Sequence, residues 1–115
     1  MKRIALIALL CSLAACETKR QELVDPEIVE RGGLMFLARS TEPLTADVVT
    51  FHKNGQLKLQ YTVIDGKQEG LWREWHENGQ LSDEGNYVNG KQEGLSRTWH
   101  VTGEPWGELN YVNGK

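Results

Sequence analysis

The chain shows three textures along its length. Residues 4–10 carry no polar side chain, residues 17–32 are mostly polar and charged, and from about residue 34 short runs alternate apolar and polar positions between glycine-bearing pairs. The third texture repeats. When 51–74 are laid over 75–98, twelve of 24 positions are identical, and when 75–91 are laid over 99–115, ten of 17 are. A fixed period of this size marks an array of like units, each leaning on its neighbours.

Two turn signals fall in every unit: Asn54-Gly55, Asp65-Gly66, Asn78-Gly79, Asn89-Gly90, Thr102-Gly103 and Asn113-Gly114. Asn-Gly and Asp-Gly suit the two-residue type I′ hairpin loop, whose central residues both need positive φ. The stretches between them are strand-sized. The pattern therefore predicts an all-β fold, a single-layer antiparallel meander of repeated hairpins with a 24-residue period. Strands are expected near 48–53, 56–64, 70–77, 80–88, 94–101 and 104–112, with one more near 34–39. A two-residue loop at Asn78-Gly79 would set His76 against Leu81, Trp72 against Gly85 and Gly70 against Tyr87 on one face. Trp75 with Ser82, Arg73 with Glu84 and Leu71 with Asn86 would share the other. The missing side chain at Gly85 leaves room for the Trp72 indole, and Arg73–Glu84 is an opposite-charge cross-strand pair. One face is expected to form a hydrophobic floor and the other to be partly wet.

The beginning of the chain is of another kind. Lys2 and Arg3, a short apolar run and small residues before a cut site describe a secretory signal. The run falls short of the roughly 20 residues that span a bilayer. Leu13-Ala14-Ala15-Cys16 resembles the bacterial lipobox, which implies a diacylglycerol thioether on Cys16 and cleavage before it. The organisation expected is 1–15 as lipoprotein signal, 16–33 as acylated cysteine and polar tether with at most a helical turn after Pro26, and 34–115 as the repeat domain. Cys11 leaves with the signal, so the mature chain has no free thiol for a disulfide, a metal or catalysis. Maturation leaves 11 basic and 16 acidic side chains, a net of −5, which disfavours nucleic acid as a partner. The anchor places the protein on the extracytoplasmic side of a membrane. In a host with two membranes the outer one is expected, since Glu17 stands where aspartate would signal inner-membrane retention.

The recurring pattern of a Trp or Phe with His, then Asn-Gly-Gln-Leu, then Tyr-Val-Asn-Gly-Lys-Gln-Glu-Gly-Leu, resembles the MORN-repeat variant of bacteria, over residues 34–115. Pro43-Leu44-Thr45-Ala46 resembles that family's opening strand, with Ala46 where glycine is usual. In the third unit Thr102 replaces the turn asparagine and Pro105 replaces Leu57 or Leu81. The resemblance implies a platform for protein or membrane contact. Many bacterial members carry the label of antitoxin, which gives a second reading here: an immunity protein neutralising a toxin in the envelope.

Candidate chemistry is sparse. His52, His76 and His100 recur at the repeat spacing, but equivalent residues two strands apart lie roughly 9–10 Å from each other, too far to share a zinc that needs ligands at about 2 Å. Glu74 and Asp83 oppose one another on what reads as a solvated face. No nucleophile–base arrangement is legible, so the chain is expected not to be an enzyme and to need no cofactor beyond the lipid on Cys16. Binding surfaces remain. Trp72, Trp75, Trp99, Trp106, Tyr87 and Tyr111 could floor a binding face, for a protein or, as a weaker reading, for stacked sugar. Leu109, Tyr111 and Val112 lie on the last strand, whose outer edge could take a strand from a partner or from a second copy.

Overall fold

The computed structural model describes residues 20–115, so the signal and Cys16 lie outside the described residues. Eleven strands follow in order: β1 (Glu22–Val24), β2 (Ile28–Arg31), β3 (Leu34–Leu37), β4 (Ala46–Phe51), β5 (Leu57–Ile64), β6 (Lys67–Gln68), β7 (Gly70–Trp75), β8 (Leu81–Val88), β9 (Lys91–Gln92), β10 (Gly94–Trp99) and β11 (Pro105–Tyr111). The meander expected from the repeat is present. The main sheet runs β1-β4-β5-β7-β8-β10-β11, with β6 and β9 pairing back onto β5 and β8, and every pairing but β1–β4 is antiparallel.

The two kinds of turn differ in a way that the shared Asn-Gly dipeptide conceals. Asn89 (φ 54°) and Gly90 (φ 84°) are both left-handed, as are Asp65-Gly66 and Asn113-Gly114, so these are the expected type I′ loops between Ile64 and Lys67 and between Val88 and Lys91. At Asn78-Gly79 only the glycine has positive φ. There the His76 N–H donates to Gln80 O (2.8 Å) and the Gly79 N–H to His76 O (3.0 Å), with the same pairs at His52–Gln56 and His100–Glu104. These are three-residue loops, a turn closed by a left-handed glycine, rather than the two-residue loops expected. Asn78 stands there for its side chain, whose Oδ1 accepts the Gln80 N–H at 3.0 Å.

The longer loop moves the pairing by one residue, and a bulge restores it. Trp75 opposes Leu81 rather than Ser82, whereas Glu74–Asp83, Arg73–Glu84, Trp72–Gly85 and Gly70–Tyr87 keep the expected register. Ser82 is the extra residue, and Lys58 and Trp106 hold the same place in the other units.

The segment expected as a tether is ordered from Arg20 onward. β1 lies parallel to β4, with Leu23 opposite Val48, and β2 and β3 form a hairpin of their own in place of a helical turn after Pro26. The strand expected near 34–39 exists as β3, but it pairs with β2 and stays outside the main sheet. Its apolar residues are nonetheless used. Ile28, Met35 and Leu37, with Leu23 and Tyr61, pack on the buried cluster of Leu44, Ala46, Val48 and Val63. The sheet is thus a single layer over the second and third units and carries this hairpin over the first.

Candidate functional site

Backbone alternation sorts the sheet into two faces. Ala46, Val48, Tyr61 and Val63 mark the core face, which continues through Trp72, Gly85, Tyr87, Ser96, Leu109 and Tyr111; Asp47, Arg73, Glu84, Arg97 and Glu108 mark the opposite one. Trp75 and Trp99 lie three residues beyond Trp72 and Ser96 in strands that alternate without interruption, so they fall on the charged face. The aromatic residues expected to build one binding face are therefore divided. Trp72, Tyr87 and Tyr111 belong to the core side and Trp75 and Trp99 to the other.

Each aromatic residue then has its own setting. The Trp72 indole lies over Gly85, and its Nε1 is buried without a hydrogen-bond partner. Trp75 and Trp99 are half-buried, and their carbonyls accept hydrogen bonds from His52 Nε2 (2.8 Å) and His76 Nε2 (3.0 Å). Trp106 is different. The bulge projects it outward at 68% exposure, and its ring stacks on His100 with centroids 5.0 Å apart. Beside it Ser96, Thr98, Gly107 and Leu109 line a shallow groove of about 300 Å³. Leu109 is 62% and Val112 57% exposed, so the expected edge residues do present apolar surface, while Tyr111 is half-buried against Gly94.

The recurrent polar residues act between units. Asn54 Nδ2 donates to Glu77 O (2.8 Å) and Asn78 Nδ2 to Val101 O (2.9 Å), in step with the histidine bonds. At the opposite flank the Asn89 N–H donates to the Glu69 carboxylate (2.7 Å) and the Asn113 N–H to that of Glu93 (2.9 Å). The Gly90 and Gly114 N–H groups donate to Gln68 O and Gln92 O, both at 3.0 Å. In the sequence these contacts leave one trace, the 24-residue recurrence of Glu69 and Glu93. His52 and His76 are thus occupied in joining units, and no group of three His, Cys, Asp or Glu side chains among the described residues is placed to hold a metal.

The charged face carries a zigzag of ion pairs: Arg73–Glu84 (3.2 Å), Arg97–Glu84 (3.8 Å) and Arg97–Glu108 (3.3 Å). Exposed pairs of this kind each contribute about 0–1 kcal/mol, so they mark a solvated surface. Asp83, opposite Glu74, lies 2.8 Å from Ser82 Oγ through Oδ1. Arg20 pairs with Asp47 at 3.1 Å where the chain enters the sheet. No helix among the described residues is long and apolar enough to cross a membrane.

A family model described as MORN repeat variant matches residues 68–89. That span runs from β6 through β7 and the three-residue loop to the first residue of a type I′ turn, one hairpin with the contacts that bind it to its neighbours. No curated protein and no solved structure matches the chain.

Proposed function

We propose that the protein is an envelope lipoprotein, held by an acylated Cys16 on the outer side of a membrane, whose repeat sheet is an interaction module for a protein partner. The observation that carries this reading is the third unit. Trp106 and Leu109 stand exposed beside a groove in a unit bonded to its neighbour through Trp99 O and Val101 O, and an exposed aromatic anchor next to a groove is what protein recognition uses. The match of residues 68–89 to a repeat found in interaction modules supports the same conclusion. The reading includes no catalysis, no cofactor and no nucleic acid. In a host with two membranes it places the protein in the outer one.

Two measurements test it. A fatty-acid probe fed to cells should label the wild type and not Cys16→Ser, and equal labelling ends the anchor reading. A photo-crosslinker at position 109 should then trap one partner in intact cells, and Trp106→Ala should abolish that crosslink. A crosslink indifferent to Trp106 would move the binding surface elsewhere. A toxin as the trapped protein would identify the module as an immunity protein.

A further inference from the structure

Folded structure begins much closer to the proposed anchor than the polar composition of residues 17–32 implies. Arg20 is paired with Asp47, Gln21 O accepts the Asp47 N–H at 2.9 Å, and β1 starts at Glu22. Cys16 lies four positions before Arg20. Fully extended, that length spans at most about 14 Å, less than half of the smallest dimension of a molecule measuring 43 × 34 × 32 Å. Such a tether leaves little freedom to reorient.

The entry point is also at one particular corner. β1 runs parallel to β4 from its start, next to Thr45, whose Oγ1 accepts the N–H of Asp65 at 2.7 Å. The chain therefore enters at the flank of the type I′ turns. The three-residue loops lie at the other ends of strands six to eight residues long, about 20–25 Å away. The turn flank also carries exposed Ile64, Val88 and Val112, with Lys67 and Lys91 beyond the turns. A bilayer surface accepts such a mixture more readily than a purely acidic edge.

We propose that the acylated protein stands with its type I′ turn flank against the bilayer and its three-residue loops turned away. This rests on the lipoprotein reading. It makes the loop flank, close to which Trp106 stands in the third unit, the side that a partner approaches, and it places the recess lined by Glu22, Asp47 and Arg73 toward the membrane.

The test uses the acylated full chain in phosphatidylcholine vesicles containing a headgroup-labelled acceptor lipid. Mature protein has no other thiol, so a donor dye can be placed at Lys67→Cys or Lys91→Cys on the turn flank, and at Glu77→Cys or Lys53→Cys on the loop flank. All four side chains are exposed, and two per flank guard against a variant that misfolds. Energy transfer should be clearly higher at 67 and 91 than at 53 and 77. Inserting a 20-residue glycine–serine segment after Lys19 should erase the difference. Equal transfer at both flanks in the acylated protein overturns the orientation alone, and a difference that survives the insertion overturns the tether as its cause. A chain that bears no acyl group and does not float with vesicles overturns the anchor reading and this one together.

Discussion

Gly85→Ala isolates the packing that joins β7 to β8. Gly85 is buried opposite Trp72, and its φ is not in the left-handed region. Alanine there meets no backbone strain, and the effect is one of volume. A Cβ at that position would lie 2.6 Å from Trp72 Nε1, 3.1 Å from Cε2 and 3.3 Å from Cζ2. The indole is the rigid part of its side chain and would have to move as a whole. Overpacking of this sort costs about 1–3 kcal/mol, while replacing a strand glycine by alanine recovers about 0.5–1 kcal/mol. The net loss of about 1–2 kcal/mol should lower Tm by roughly 5–15 °C for a domain of this size. Thermal melts of the Cys16→Ser chain, followed by circular dichroism, read it directly. Pairing the change with Trp72→Val should remove the cost of the alanine, since valine is what the first unit carries at the equivalent position, Val48. If Gly85→Ala is neutral, or as costly in the Trp72→Val background as it is beside the indole, the indole is not what excludes a side chain.

Other outcomes follow from the same contacts. Gly55→Ala and Gly66→Ala both force a left-handed alanine, at about 1–2 kcal/mol. The Cβ at 55 meets nothing within 4 Å, whereas that at 66 comes within 2.9 Å of Leu34 Cβ, so urea melts should show Gly66→Ala as the worse by a further 1–3 kcal/mol, on the order expected for overpacking. Asn78→Ala removes the bonds to Val101 O and from the Gln80 N–H and should cost about 1–2 kcal/mol in the same assay. Burial raises the Tyr61 pKa above its ordinary 10.0. The folded chain then holds the phenol proton more tightly than the unfolded chain does. The stability this confers is fully present below pH 10 and is lost as pH rises through the folded value, and Tyr61→Phe should flatten that alkaline decline in melts between pH 9 and 12.

The period, the strands and the I′ turns were legible because each depends on local chemistry: recurrence, alternation and Asp or Asn followed by Gly. The loops at Asn54 and Asn78 misled because one dipeptide serves two geometries. What separates them is whether asparagine contributes its φ or its side-chain amide, and the carbonyl that the amide N–H reaches lies 23 residues away. β1 escaped notice for a related reason. Its three residues pair with β4 across 25 positions, and nothing local distinguishes Leu23-Val24 from a chance apolar pair in a polar stretch. The aromatic residues share a type but not a side, and only the faces of their strands show that Trp72 and Trp75 look in opposite directions. The bulge that exposes Trp106 follows from loop length and was invisible for as long as the loop was read as two residues.

Successive units are joined by the same set of bonds, but they are not equally buried, and this should appear as a gradient of local stability. At the first unit, Leu44 O accepts the Gly66 N–H at 2.7 Å and Thr45 Oγ1 accepts that of Asp65, in the places that Gln68 O and the Glu69 carboxylate hold one unit later. β1 lies along β4, and the β2–β3 hairpin packs on the first unit's core. The fully buried valines, Val48 and Val63, are both there. In the third unit Trp106 and Leu109 are 68% and 62% exposed, and Pro105 brings no N–H. Apart from Tyr111, every residue of β11 is exposed. Segments with little buried surface open at lower free energy than the buried ones. Native-state hydrogen exchange should therefore find the amides of β11 exchanging first, through local opening, while those of β4 and β5 exchange only near the global unfolding free energy. Protection of β11 equal to that of β4 would mean that the array melts as one body, and that the burial at its first unit does not set where it opens.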